Sequence, residues 1–175
     1  AEINEITLTN TEVIYNKEKQ TPTINTITIF GDGFEKTYSP ANDNDFTLSY
    51  LIEQETAQAT GLAIEGFEKC VTGSDLLWAV VPQEKWNTIF INAGMYAVKI
   101  HGCNNLTGES DYVVYTIQPK DINSLTVETE TEKAYTRGKI SAPIAFKFDG
   151  YTLIEDTDYE ITYGGDQTSL GSQDY

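Results

Sequence analysis

Apolar and polar residues alternate with a period of two along much of this chain, the pattern of strands with one buried and one wet face. Ile6 and Leu8, then Val13 and Tyr15, mark two short strands broken by Thr9-Asn10-Thr11. In the run from Thr23 to Phe30, the apolar Ile24, Ile27 and Ile29 change phase near Asn25-Thr26. A phase change inside a strand predicts a β-bulge there. Gly31-Asp32-Gly33 signals a turn and residues 39–44 a polar loop, after which Phe46, Leu48 and Tyr50 share one face. Further on, Met95 to Ile100 alternates again, Gly102 to Gly108 reads as a turn, and Asp111 to Ile117 closes the segment before Gln118-Pro119. Short strands with turn signals about every ten residues predict an all-β sandwich or barrel.

Residues 53–92 break the rhythm. Glu53 to Ala63 is rich in Gln, Ala and Glu and suits a helical turn or a loop. Leu76 to Val81 reads as a buried strand, Pro82 to Asn87 as a turn and Thr88 to Ile91 as another short strand. A structureless insertion of roughly 40 residues is unusual in a compact domain. Its apolar content predicts extra strands or a separate lobe.

The order of segments recurs. Val13-Ile14-Tyr15-Asn16-Lys17 is echoed by Lys133-Ala134-Tyr135-Thr136-Arg137-Gly138-Lys139, and Thr21-Pro22-Thr23-Ile24 by Ala142-Pro143-Ile144. Asp45-Phe46-Thr47-Leu48-Ser49-Tyr50 is echoed by Asp158-Tyr159-Glu160-Ile161-Thr162-Tyr163, and Ile3 to Leu8 and Ile122 to Val127 open the two copies. Such self-similarity points to tandem units. The segments Tyr135 to Lys139, Asp149 to Leu153 and Asp156 to Tyr163 resemble the tandem immunoglobulin-like repeats of bacterial surface proteins, a module that phage virion proteins also borrow. So do Ala93 to Tyr96, Gly102 to Gly108 and Tyr115 to Pro119 in the first copy. The resemblance covers most of the chain outside 53–92.

It implies antiparallel Ig-like β-sandwich domains in tandem: residues 1–119 with an insertion at about 53–92, and residues 120–175 as a second repeat. The second copy stops at Tyr175 before its last strands. The preferred reading is a piece of a longer chain; the other is completion by a strand from another subunit. The family implies stalks and adhesins and carries no catalytic residues over.

Charge narrows the partners. Twenty-seven acidic residues against eleven basic ones leave a net charge of −16. Phosphate binding needs clustered Lys and Arg, so nucleic acid is not an expected partner. Docking on an anionic membrane is disfavoured for the same reason, and no apolar run of about 20 residues predicts a spanning helix. A protein or glycan partner, or neighbouring subunits of one assembly, is expected instead. The chain opens Ala1-Glu2-Ile3 without a basic-then-apolar leader, as after removal of a signal peptide or of an initiator Met.

Candidate chemistry is sparse. His101 is the sole histidine, no Gly-x-Ser-x-Gly run is present, and Cys103 lies two residues from His101. No enzyme activity is expected. Cys70 and Cys103 allow one bridge in an exported protein. Lys99 and Asn104 supply two of the three groups that an intramolecular isopeptide bond needs, with nothing in the sequence to bring them together. Asp156 and Asp158, and Asp43 and Asp45, are fragments of a Ca²⁺ site, since calcium takes several converging oxygens; a solvated acidic face is the plainer reading, and no cofactor is expected. Trp78 and Trp86 both sit in the insertion, where exposed indoles would stack on sugar rings or anchor a protein, and buried ones would pack. Asn105-Leu106-Thr107 has the form of a glycosylation acceptor.

The expectation is a structural or adhesive module at the microbial cell surface, outside the cell, acting as spacer or binding domain. The alternatives are a phage virion component (head decoration, fibre or tail) and a carbohydrate-binding accessory module.

Overall fold

A computed structural model describes residues 1–31, 34–38, 44–129, 144–148, 151–156 and 158–162. Asp43 and the Asp32-Gly33 turn lie outside them. The described chain is mostly β, in antiparallel and mixed sheets with few helices. It divides into two compact units, Ala1–Lys120 and Asp121–Tyr175.

In the first unit, β1 (Glu2–Leu8), β3 (Ile24–Gly31) and β4 (Phe34–Tyr38) form one sheet in the order β1-β3-β4. A five-stranded sheet runs β2-β8-β7-β5-β6, from β2 (Glu12–Ile14), β5 (Phe46–Glu53), β6 (Trp78–Val80), β7 (Gly94–Gly102) and β8 (Val113–Gln118). Pairing is antiparallel except between β2 and β8, which run parallel. The first strand segment is thus divided: β1 belongs to one sheet and β2 to the other. Thr9 to Thr11 makes the step between them, where the period-two pattern is broken.

The bulge expected near Asn25-Thr26 is present. Thr7 pairs with Thr26 and Leu8 with Ile24, which leaves Asn25 as the extra residue. A second irregularity lies on β1, between Ile3 and Glu5.

One face of each sheet feeds a common core. Ile3, Ile6, Leu8 and Ile27 come from the three-stranded sheet; Tyr50, Ile52, Tyr96, Val98, Ile100, Tyr115 and Ile117 come from the larger one. Phe46, Leu48 and Tyr50 do share a face, turned toward this core. At about 25 cal/mol per Å² of apolar area, each fully buried Ile or Val contributes on the order of 1.5–3 kcal/mol.

The insertion forms neither a lobe nor two new strands. It wraps the β5 edge of the larger sheet and packs on both of its faces. On the core side, helix α1 (Gln54–Ala59) buries Ala57, and Val81, Ile89 and Phe90 join the main core. Glu53 caps α1: its carboxylate accepts the N–H groups of Glu55 and Thr56 and the Thr56 hydroxyl. On the outer face, Val71 and Trp78 roof Leu51 and Ala97, with Cys70, Met95, Tyr112 and Val114 around them. Only β6 extends the sheet, and the expected strand at Thr88 to Ile91 does not form. Gln83–Thr88 is a 3-10 turn, and Phe90 then adopts φ 63°, which no strand allows. Burying the Phe90 ring against Tyr50, Tyr96 and Tyr115 offsets that strain.

The second unit pairs β9 (Thr126–Thr129), β10 (Ile144–Phe148) and β11 (Tyr151–Thr152) in the order β11-β10-β9, all antiparallel. Phe146 and Tyr159 meet edge to face, centroids 4.7 Å apart. No helix among the described residues is long and apolar enough to cross a membrane.

Candidate binding surface

Among the described residues, a group of charged and aromatic side chains in mutual contact lies on the outer face of the five-stranded sheet, beside the strap of Cys70 to Trp78. Alternation along β7 sends Lys99 and His101 outward while Val98 and Ile100 enter the core. The connection from β7 to β8 folds back so that Glu109 pairs with His101 in an isolated bridge. Lys99 Nζ donates to Glu109 Oε1 at 2.6 Å, and His101 Nδ1 lies 3.0 Å from Glu109 Oε2. The Lys99 ammonium also sits 4.6 Å from the centre of the Tyr112 ring, a cation–π contact. The Lys99 side chain is only 12% exposed, so its aliphatic stem packs while its charge stays paired.

The electrostatics follow from these contacts. The Lys99 hydrogen bond, with smaller help from His101, holds the Glu109 carboxyl below its usual range. Burial pushes Cys70 up, and the nearby Glu68 adds to this. A thiol held protonated is a weak nucleophile. Burial also raises Tyr112. The cluster is therefore a charge-paired, hydrogen-bonded patch on the outer face.

The residues singled out from the sequence are scattered. Trp78 is fully buried, its indole N–H donating to Ser74 Oγ at 3.2 Å, and offers no face to a sugar. Its place on β6 opposite Glu53 turns it under the strap. Trp86 is half-buried, its ring 4.7 Å from Tyr50 edge to face and its N–H donating to the Val81 carbonyl at 3.0 Å. The two indoles belong to different cores and form no shared platform.

Asp45 is a tether. Its Oδ1 accepts the Asn105 side-chain amide at 3.0 Å, and its carbonyl accepts the Cys103 N–H at 2.7 Å. Asp158 Oδ2 accepts the Ile154 N–H at 2.8 Å and closes a tight loop in which Asp156 has φ 63°. Among the described residues no three His, Cys, Asp or Glu side chains gather as metal ligands do.

Nor does a cysteine–histidine pair assemble. Cys103 Sγ donates to the Asn44 carbonyl while His101 faces Glu109, and Cys70 and Cys103 are both free. Lys99 and Asn104 have separate partners, Glu109 and the Asn44 carbonyl.

The Lys99–Glu109–Tyr112 cluster escaped the sequence reading. Its members come from β7, a connecting loop and the start of β8, and only outward phase on β7 hinted at Lys99 and His101. Comparison with protein-family models, with curated proteins and with solved structures finds no match to this chain.

Proposed function

We propose that the chain is an Ig-like spacer and binding module of a surface-exposed microbial protein. The observation that carries this reading is the path of the chain through residues 1–120. Ala1 lies at the β7–β8 connection, where its amino group meets the Asn105 carbonyl and its own carbonyl accepts the Thr107 N–H. β8 leads away from that connection for six residues, about 20 Å. It ends at Gln118, whose carbonyl accepts the Tyr15 N–H. The chain enters at one end and leaves at the other, so the unit adds its length to a stalk.

Two features support the Ig-like class. The first strand segment is split between the sheets, and Tyr96, near the start of β7, hydrogen-bonds back to the Asn92 carbonyl as a tyrosine corner does. The antiparallel pairing of β9 with β10 parallels that of β1 with β3 and supports a repeated unit. The binding function belongs to the outer-face cluster, the partner being a protein or glycan.

Immunogold labelling with antibodies against the chain tests location in the encoding organism. Gold on intact cells is expected. Labelling only after lysis sinks the surface reading, and labelling confined to virus particles replaces it with the virion component.

A further inference from the structure

We propose that residues 1–120 form a salt-dependent fold, steadied by a diffuse layer of cations drawn from the medium rather than by ion pairs of its own. This goes beyond the spacer reading and does not depend on it. The segment carries sixteen acidic residues against seven basic ones. Like charges crowded onto a compact unit repel one another, and unfolding spreads them apart. The charge therefore works against the folded state wherever salt is too dilute to screen it. The screening length is about 30 Å at 0.01 M salt and about 8 Å at 0.15 M. The first reaches past a six-residue strand such as β8, about 20 Å long, and the second does not.

The lysines offset little of this repulsion. Lys69 reaches Asp75 at 3.4 Å with both side chains in water, and an exposed pair of that kind contributes little. Lys99 is held by Glu109. Lys19 donates to the Trp86 carbonyl at 2.6 Å, and Lys85 donates to the Ala63 carbonyl. Those two ammonium groups are thus taken by main-chain oxygens rather than by carboxylates. On the acidic side, Glu2, Glu5, Glu18, Glu65, Glu84 and Asp111 are all exposed. Glu2 and Glu5 stand opposite Phe30 and Thr28 across the β1–β3 ladder, and neither partner is a cation. The six carboxylates are spread over β1, the loop after β2, the insertion and the β7–β8 connection. What they attract together is an ion atmosphere, not one bound ion.

The test follows urea unfolding of the full chain by tryptophan fluorescence. The signal reads this unit alone, because Trp78 and Trp86 both lie in it. Between about 0.01 M and about 0.3 M NaCl the midpoint is expected to rise by about 0.5–1 M urea. Glu5→Lys is expected to raise the dilute-salt midpoint and to shrink the rise by roughly a third, since self-repulsion grows with the square of net charge. Ile52→Val, a core trim on β5, should lower the midpoint equally at every salt concentration. Calcium and magnesium chloride at equal concentration should give the same midpoint. A midpoint that stays flat or falls along the NaCl series overturns the proposal, as does a rise that Glu5→Lys leaves unchanged. Stabilisation by micromolar calcium that magnesium does not reproduce overturns it as well, because that response belongs to a discrete site.

Discussion

Tyr96 donates its hydroxyl hydrogen to the carbonyl of Asn92, four residues earlier and 3.0 Å away. The ring is 1% exposed and packs against Phe90. Tyr96→Phe keeps the ring and removes only the hydrogen bond. The expected loss is about 1 kcal/mol, read as a lower urea midpoint at unchanged slope. An unaltered midpoint would show that the corner contributes nothing to stability.

The same hydroxyl sets an alkaline limit. Burial pushes Tyr96 up to about 12, a backbone hydrogen bond at Phe90 offsetting part of the effect. Tyr50 and Tyr115 are raised by burial as well. A raised folded-state value means that the native state holds its proton more tightly than the unfolded chain. The stabilisation is complete below pH 10 and is lost as pH climbs from 10 toward 12. Denaturation midpoints measured across that window should fall steadily.

Gly94 opens β7 with φ 153°. A Cβ there would lie 2.3 Å from Thr56 Cγ2 and 2.7 Å from Thr56 Oγ1. Thr56 cannot easily yield, because it is buried and its Oγ1 accepts the Met95 N–H at 2.9 Å. Gly94→Ala should cost about 2 kcal/mol or more through strain and overpacking, and chemical denaturation would report it. A neutral result would mean that α1 shifts freely against β7.

The tryptophans separate packing from recognition. Trp78→Ala empties a fully buried site and should cost about 3–5 kcal/mol. Trp86→Ala should cost less, since its ring is half-exposed. Glycan-array binding that survives Trp86→Ala would remove this indole from any sugar-binding account.

Acid should loosen the outer-face cluster. Lys99 holds the Glu109 carboxyl below its usual range. Its stabilisation is complete above the unfolded value and fades as pH falls through the lowered folded value. Protection of the amides at residues 109–112, taken relative to the intrinsic exchange rate at each pH, should fall in that acidic window in the native chain and lose this pH dependence in Glu109→Gln. Identical pH profiles would show that the loop is held by its backbone bonds alone, among them Ser110 N–H to the Ile100 carbonyl.

Much of the strand pattern was legible because one wet and one buried face force a period of two. Leu48 and Tyr50, or Val98 and Ile100, announce themselves in this way. The bulge at Asn25 was readable for the same reason, since an extra residue flips the phase. The insertion was less legible. Trp78 packs on the outer face and Val81 in the main core, while Val80 is apolar yet exposed, so apolar residues stand on both faces of this strand and no alternation shows. Phe90 misled because the apolar run Ile89-Phe90-Ile91 reads as strand until its backbone reverses. The outer-face cluster depends on how a loop folds back, and no local spacing encodes that.

The insertion also constrains what this chain can lose. Residues between Tyr50 and Ala93 look dispensable in sequence, an ornament hung on a repeat. Yet Phe90 is the ring around which Tyr50, Tyr96 and Tyr115 gather, and Trp78 roofs the opposite side of the same sheet. Excising the segment would open both sides of the sheet to water at once.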